Sequence, residues 1–291
     1  FILSAGLMRT SCVSTKVKGE TAADRGIEAW NSQGPYAARA YWEEIEDVQE
    51  QKKYLGYLDL FTEGKEALDS TDDLKPSNES KFLSACNTAI AKFSKIDQAL
   101  ILPPDVAKKG GDLTAVRVEK LLAAGKISDA AKLQNQAETV YGTQDSLSAS
   151  AQKIKLAKDI QGKRDALAAE ADKISGMSDF DEKIAKIDSV LEKYNSENAA
   201  VERLLKSSEV GDSSAITPYV KSFRKVKQDI AVAREAAFRD KVYDYKNRIG
   251  EEFARQPEGP GSGKKGAYTN EDILAHYKSV QKNIDDIYAE L

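Results

Sequence analysis

At 291 residues with 41% apolar side chains, the chain is long enough to bury one large core or two modest ones. Its 43 basic and 47 acidic side chains are mixed along the sequence and leave a formal charge of −4, so no global positive field exists to hold a polyanion and nucleic acid is not an expected partner. One histidine and two cysteines leave most metal and acid–base constellations short of parts, and no metal site, cofactor or catalytic set is expected.

Ala, Lys, Glu, Asp, Leu and Ser fill long stretches without strand-like alternation, and proline occurs only 7 times. This predicts an all-α chain of antiparallel helical hairpins, stacked as a solenoid or bundle. No run approaches the roughly 18 apolar residues that a membrane-spanning helix needs.

Residues 1–8 (FILSAGLM) resemble the second half of a signal-peptide apolar region whose basic beginning is missing, with Phe rather than Met at position 1. The small residues Thr10 and Ser11 precede Cys12, and a polar stretch without periodicity follows over residues 13–25, suited to a flexible tether. The arrangement resembles a bacterial lipoprotein signal. Arg9 stands three before the cysteine, where leucine is usual, and relaxed versions of the signal occur in spirochaete lipoproteins. The resemblance implies cleavage and acylation at Cys12, and so a lipid-anchored membrane contact in the bacterial cell envelope, facing periplasm or exterior. Val13 rather than aspartate follows, so by that family's sorting habit inner-membrane retention is not signalled. The multiple acyl chains of such a protein hold stably where one would bind only marginally. The alternatives are a signal-like start without lipidation and an ordinary cytoplasmic N-terminus.

Folding is expected to begin near Gly26. Residues 27–68 read as two or three helices rich in aromatics, broken at Gly34-Pro35 and near Gly56, and residues 70–80 read as a linker. A helix starting at Pro76-Ser77-Asn78 carries Phe82, Cys86, Ile90, Phe93 and Ile96 on one face and is stopped by Leu102-Pro103-Pro104. Gly110-Gly111-Asp112 reads as a turn with an N-cap before a helix ending near Ala124, and Gly125 separates that helix from one over residues 128–141.

Between Asp105 and Thr217 there is no proline, and Gly142-Thr143, Gly176-Met177-Ser178 and Asn195-Ser196 read as helix–helix turns. Ile160, Leu167 and Ile174 recur at heptad spacing, and Phe180, Ile184, Ile187, Leu191 and Tyr194 continue after the turn, as in an antiparallel pair with a cap at Ser178. Thr217-Pro218 opens a long helix over about residues 218–255, with a stripe through Val220, Phe223, Val226, Ile230, Ala233, Ala237, Val242, Tyr245, Ile249 and Phe253. Residues 257–266 (PEGPGSGKKG) form a break before a last helix capped by Thr269 with Asp272. The expected division is a signal-like segment (1–12), a tether (13–25), a first helical region (26–141) and a second (142–291).

Two places resemble tetratricopeptide repeats, helix pairs of about 34 residues with a glycine turn and small residues at the contact. One is LLAAGKISDA over residues 121–130 with Ala137; the other is WNSQGPYAARAYW over residues 30–42, where Arg39 holds an expected alanine place. The spacing of Gly34 and Gly125 is no multiple of 34, so an uninterrupted array is excluded. The resemblance implies a protein-binding scaffold with a groove, and makes Trp30, Tyr36, Tyr41 and Trp42 its candidate surface. A generic hairpin with glycine turns, whose aromatics are simply core, reads the same residues.

Other motifs give little. GPGSGKKG lacks the first glycine and the Ser or Thr of a phosphate loop. His276 has no second His or Cys beside it and reads as a surface or half-buried residue. Glu43-Glu44, Asp72-Asp73, Glu251-Glu252 and Asp285-Asp286 are adjacent on helices and diverge, so they read as solvated faces, and Asn78-Glu79-Ser80 is a sequon without consequence in a bacterium. The basic excess between Lys221 and Arg248 reads as a solvated face pairing with acidic neighbours.

The expected function is therefore a non-enzymatic envelope lipoprotein acting as a helical protein-binding scaffold. A periplasmic ligand-binding or transport-accessory protein, with the aromatics lining a pocket, and a cytosolic coiled-coil protein built on the long helix are the alternatives.

Overall fold

The structure, a computed structural model, describes residues 21–72, 74, 78–206, 212–255 and 270–290. Cys12, Thr269 and the stretch 257–266 lie outside the described residues. Among those described, the chain is all-α, with ten α-helices and two short 3-10 turns.

The chain divides into two units between Lys155 and Leu156. In the first, α1 (Ala22–Gln33) begins earlier than the composition suggested. Thr21 and Asp24 form a capping box, so what reads as the end of a tether is the first turn of a helix. Gly34, at φ +102°, ends α1 and leads into a 3-10 turn (Pro35–Ala38) and the short α2 (Arg39–Trp42). Helix α3 (Val48–Asp69) starts on Asp47, whose carboxylate accepts from the N–H of Gln49 and Glu50. It runs unbroken through Gly56, contrary to expectation, because one glycine weakens a long helix without ending it.

Helix α4 (Glu79–Phe93) follows, then α5 (Pro104–Ala123), α6 (Ile127–Tyr141) and α7 (Asp145–Ser175). Gly110 and Gly111 lie inside α5 rather than in a turn. Both are buried, and a β-carbon on Gly110 would collide with the Tyr141 ring, so the pair serves close helix approach. Gly125, at φ +76°, makes the turn to α6: its N–H donates to the Leu122 carbonyl and that of Lys126 to Leu121, a Schellman motif. Trp30, Trp42, Leu58, Phe61, Leu68, Leu122 and Leu147 are the largest side chains fully buried in this unit.

The unit boundary falls within α7, not after Tyr141. In the second unit, α8 (Phe180–Lys206) is capped by Asp179, which accepts from Glu182 N–H, rather than by Ser178, and it continues through Asn195-Ser196. Lys163 pairs with Glu197 and Lys193 with Glu170, so α7 and α8 run antiparallel. Helix α9 (Thr217–Ala254) has the expected extent, about 57 Å at 1.5 Å per residue, with its N-cap at Ile216 instead of Thr217. It lies antiparallel to α8 through Arg224–Glu202, Arg234–Asp188 and Lys241–Asp181. Helix α10 (Asn270–Glu290) returns along the end of α9, where Arg248 meets Glu290. Along α9, Val220, Phe223, Val226, Ile230, Ala237 and Tyr245 are buried as expected, but Ala233, Val242 and Phe253 are exposed.

Candidate functional site

The aromatic cluster is interior packing. Trp30 and Trp42 are 1% and 0% exposed, with ring centroids 5.7 Å apart, and Phe61 stands edge-on to Trp30 at 5.6 Å. The Trp30 indole N–H donates to the Ile101 carbonyl at 2.8 Å, which ties α1 to the loop after α4. Trp42 lies over Gly26, where any β-carbon would overlap the indole. These contacts use up both faces of the indoles, so neither Trp30 nor Trp42 is available as a binding surface or lines a ligand pocket. Tyr41 is half-buried beneath the Arg25 guanidinium at 5.4 Å, and only Tyr36 stays on the surface, 57% exposed.

A furrow elsewhere in this unit is open to solvent. Helix α5 is antiparallel to α6, since Gly110 near its start faces Tyr141 at the far end of α6, and antiparallel to α4, where Arg117 meets Glu79 at 3.0 Å. Helices α4 and α6 therefore run side by side in the same direction, with α5 behind them. The furrow they form has a volume of about 680 Å³ and is lined mainly by carbon.

Each wall follows from helical spacing. Leu83, Asn87, Ile90, Ala91 and Ser94 come from α4 and the residue after it; Asp129, Lys132, Leu133, Gln136, Thr139 and Val140 come from α6. Leu121 and Arg117 form the floor. Ile90, Leu121 and Leu133 are buried and so anchor the walls to the core.

Charge in the furrow is predominantly positive. Arg117 is neutralised by Glu79, while Lys95 at one end and Lys132 near the other make no ion pair with any described residue. Asp129 is the one acid in the lining. The Arg117 Nε is buried and has no hydrogen-bond partner among the described residues. Sequence reasoning missed this site because its basic residues come from the turn after α4, from α5 and from α6, and no local pattern links Lys95 to Lys132.

Cys86, on the core face of α4, is 1% exposed, and burial pushes its thiol up to about 11. Burial likewise raises the Tyr141 phenol, whose hydroxyl has no hydrogen-bond partner among the described residues. Half-buried His276 has its Nε2 2.9 Å from the Arg255 carbonyl oxygen, a structural contact within the α9–α10 pair. No group of three or more His, Cys, Asp or Glu side chains suited to a metal ion occurs among the described residues, and none of their helices is long and apolar enough to cross a membrane.

No protein-family model, curated protein or solved structure matches the chain.

Proposed function

We propose that the protein is a non-enzymatic helical scaffold of the bacterial cell envelope, lipid-anchored through Cys12, that holds an acidic amphipathic helix of a partner protein between α4 and α6. The observation that carries this reading is the furrow, with its carbon-rich lining and two lysines that make no ion pair with a described residue. A helix laid in it would bury an apolar stripe against Leu83, Ile90, Leu121 and Leu133. Its flanking carboxylates would meet Lys95 and Lys132 and avoid Asp129, which sets the partner's charge and register. The envelope location rests on the residues around Cys12 and their resemblance to a lipoprotein signal.

The binding reading is tested by titrating the full chain into a fluorescent synthetic helix with leucines at i, i+3, i+4 and i+7 and glutamates on its flanks. A lysine-flanked version serves as control. The glutamate helix should bind in the micromolar range and the control at least about tenfold more weakly. Ala91→Trp, which fills the furrow from an exposed position, should abolish binding, and Lys132→Glu should weaken it. Equal binding of the two helices, or indifference to Ala91→Trp, rejects the reading. Location is tested separately by metabolic labelling with an alkynyl fatty acid, which should mark the wild-type protein and not Cys12→Ser.

A further inference from the structure

Helix α9 carries a second apolar stripe, on the side away from its core contacts. At about 100° per residue, Val232, Phe238, Val242, Tyr243 and Phe253 fall in one sector, roughly opposite Phe223, Ile230 and Ala237. They are 65%, 55%, 43%, 55% and 72% exposed, whereas those three core residues are buried. Polar faces are the rule on the solvent side of a helix, so five large apolar side chains in one exposed strip call for a covering partner.

The charges on this strip say which partner. Glu235, Arg239 and Lys246 lie in the sector, and none of them forms an ion pair with a described residue. Glu235 and Lys246 are equidistant in sequence from the midpoint between Asp240 and Lys241, and so are Phe238 and Tyr243, and Val232 and Ile249. A two-fold axis at that midpoint pairs each Glu235 with Lys246 of the second copy, each Phe238 with Tyr243, and each Val232 with Ile249, and lays the stem of each Arg239 over Val242. This is the self-complementarity that an isologous contact requires. A parallel, in-register pairing would instead stack Glu235 on Glu235, Arg239 on Arg239 and Lys246 on Lys246.

We propose that α9 is a self-association surface on which two copies of the chain pair antiparallel about the Asp240–Lys241 midpoint. The contact is independent of the furrow between α4 and α6. From Val232 to Ile249 it is about 26 Å long, several turns of helix, with the aromatic Phe238–Tyr243 pair beside the axis and the Glu235–Lys246 pairs farther out.

Sedimentation equilibrium of the full chain tests this. The wild type should show a monomer–dimer equilibrium with a Kd of about 100 µM or tighter. Glu235→Lys and Lys246→Glu, each alone, should weaken it at least about tenfold, and the double variant should return it to within about threefold of wild type. Phe238→Asp should give a monomer, with far-UV circular dichroism confirming the fold. A wild type that stays monomeric, a dimer that survives Phe238→Asp in a folded protein, or a double variant as weak as the single ones overturns the proposal. The charge reversals sit at exposed positions and keep the test available should Phe238→Asp fail to fold.

Discussion

Gly110 lies beneath the ring of Tyr141: a β-carbon at position 110 would stand 2.4 Å from both Cε1 and Cζ of that ring. The ring is 4% exposed and has Phe93 edge-on at 6.0 Å, so it has nowhere to move. Gly110→Ala gains about 1 kcal/mol of helix propensity but overpacks the α5–α6 contact, and the overpacking should win by about 1–2 kcal/mol. Gly56→Ala in α3, where the added carbon meets nothing within 4 Å, should instead stabilise by up to about 1 kcal/mol. Urea midpoints of the two variants should move in opposite directions, and a stabilised Gly110→Ala would refute the close packing.

This pair also marks where the sequence was legible. Apolar spacing located the helices around Cys86, Ile160, Ile187 and Phe223, because those faces pack on neighbours close in the chain. Gly110-Gly111 misled because the same two glycines serve an exposed turn or a tight helix crossing, and only the position of Tyr141 distinguishes them. Asn195-Ser196 misled similarly, since tertiary pairing of α8 with α7 and α9 overrides weak helix propensity.

Helix α9 shows the converse. Val242 and Phe253 continue its hydrophobic spacing, so the pattern assigns them to the core, yet they are 43% and 72% exposed. Periodicity reports that a face is apolar, not what covers it. Trp30 and Trp42 stand out in the sequence because they are core, and the furrow does not, because its lining is drawn from three helices and the turn after α4.

Trp30 is expected to be a stability residue. Trp30→Phe removes the donor to the Ile101 carbonyl and leaves a gap beside Trp42 and Phe61, which should cost about 1–3 kcal/mol. Tyr36→Ala, at a surface position, should cost only a few tenths. Equal losses in thermal or urea unfolding would contradict the burial of the indole.

Cys86 should be chemically silent in the folded protein. With its thiol pushed up to about 11, roughly one molecule in a thousand carries the thiolate at pH 8, and the sulfur is also shielded from reagent. In a Cys12→Ser background, Ellman's reagent should label the native protein very slowly and the denatured protein completely. Rapid labelling without denaturant would mean that the α4 core face opens readily.

Asp69 at the end of α3 accepts hydrogen bonds from Lys65 in its own helix and, at 3.0 Å, from Lys109 of α5, which also reaches Asp72 at 2.7 Å. The Lys65 hydrogen bond first, then that from Lys109, holds the Asp69 carboxyl below its ordinary value of 3.8. A carboxyl more acidic in the folded than in the unfolded chain stabilises the fold fully above that ordinary value. The contribution disappears as pH falls through the lower folded value. The Asp69 side chain is 43% exposed, so solvent screening keeps the contribution below about 1 kcal/mol. Asp69→Asn should therefore be slightly less stable than wild type at pH 7, with the difference shrinking in strong salt and vanishing in acid below the carboxylate range. Paired urea titrations at pH 7 and in acid would read this directly. A deficit that persisted in acid would place the loss in packing rather than in the charge that ties α5 to α3.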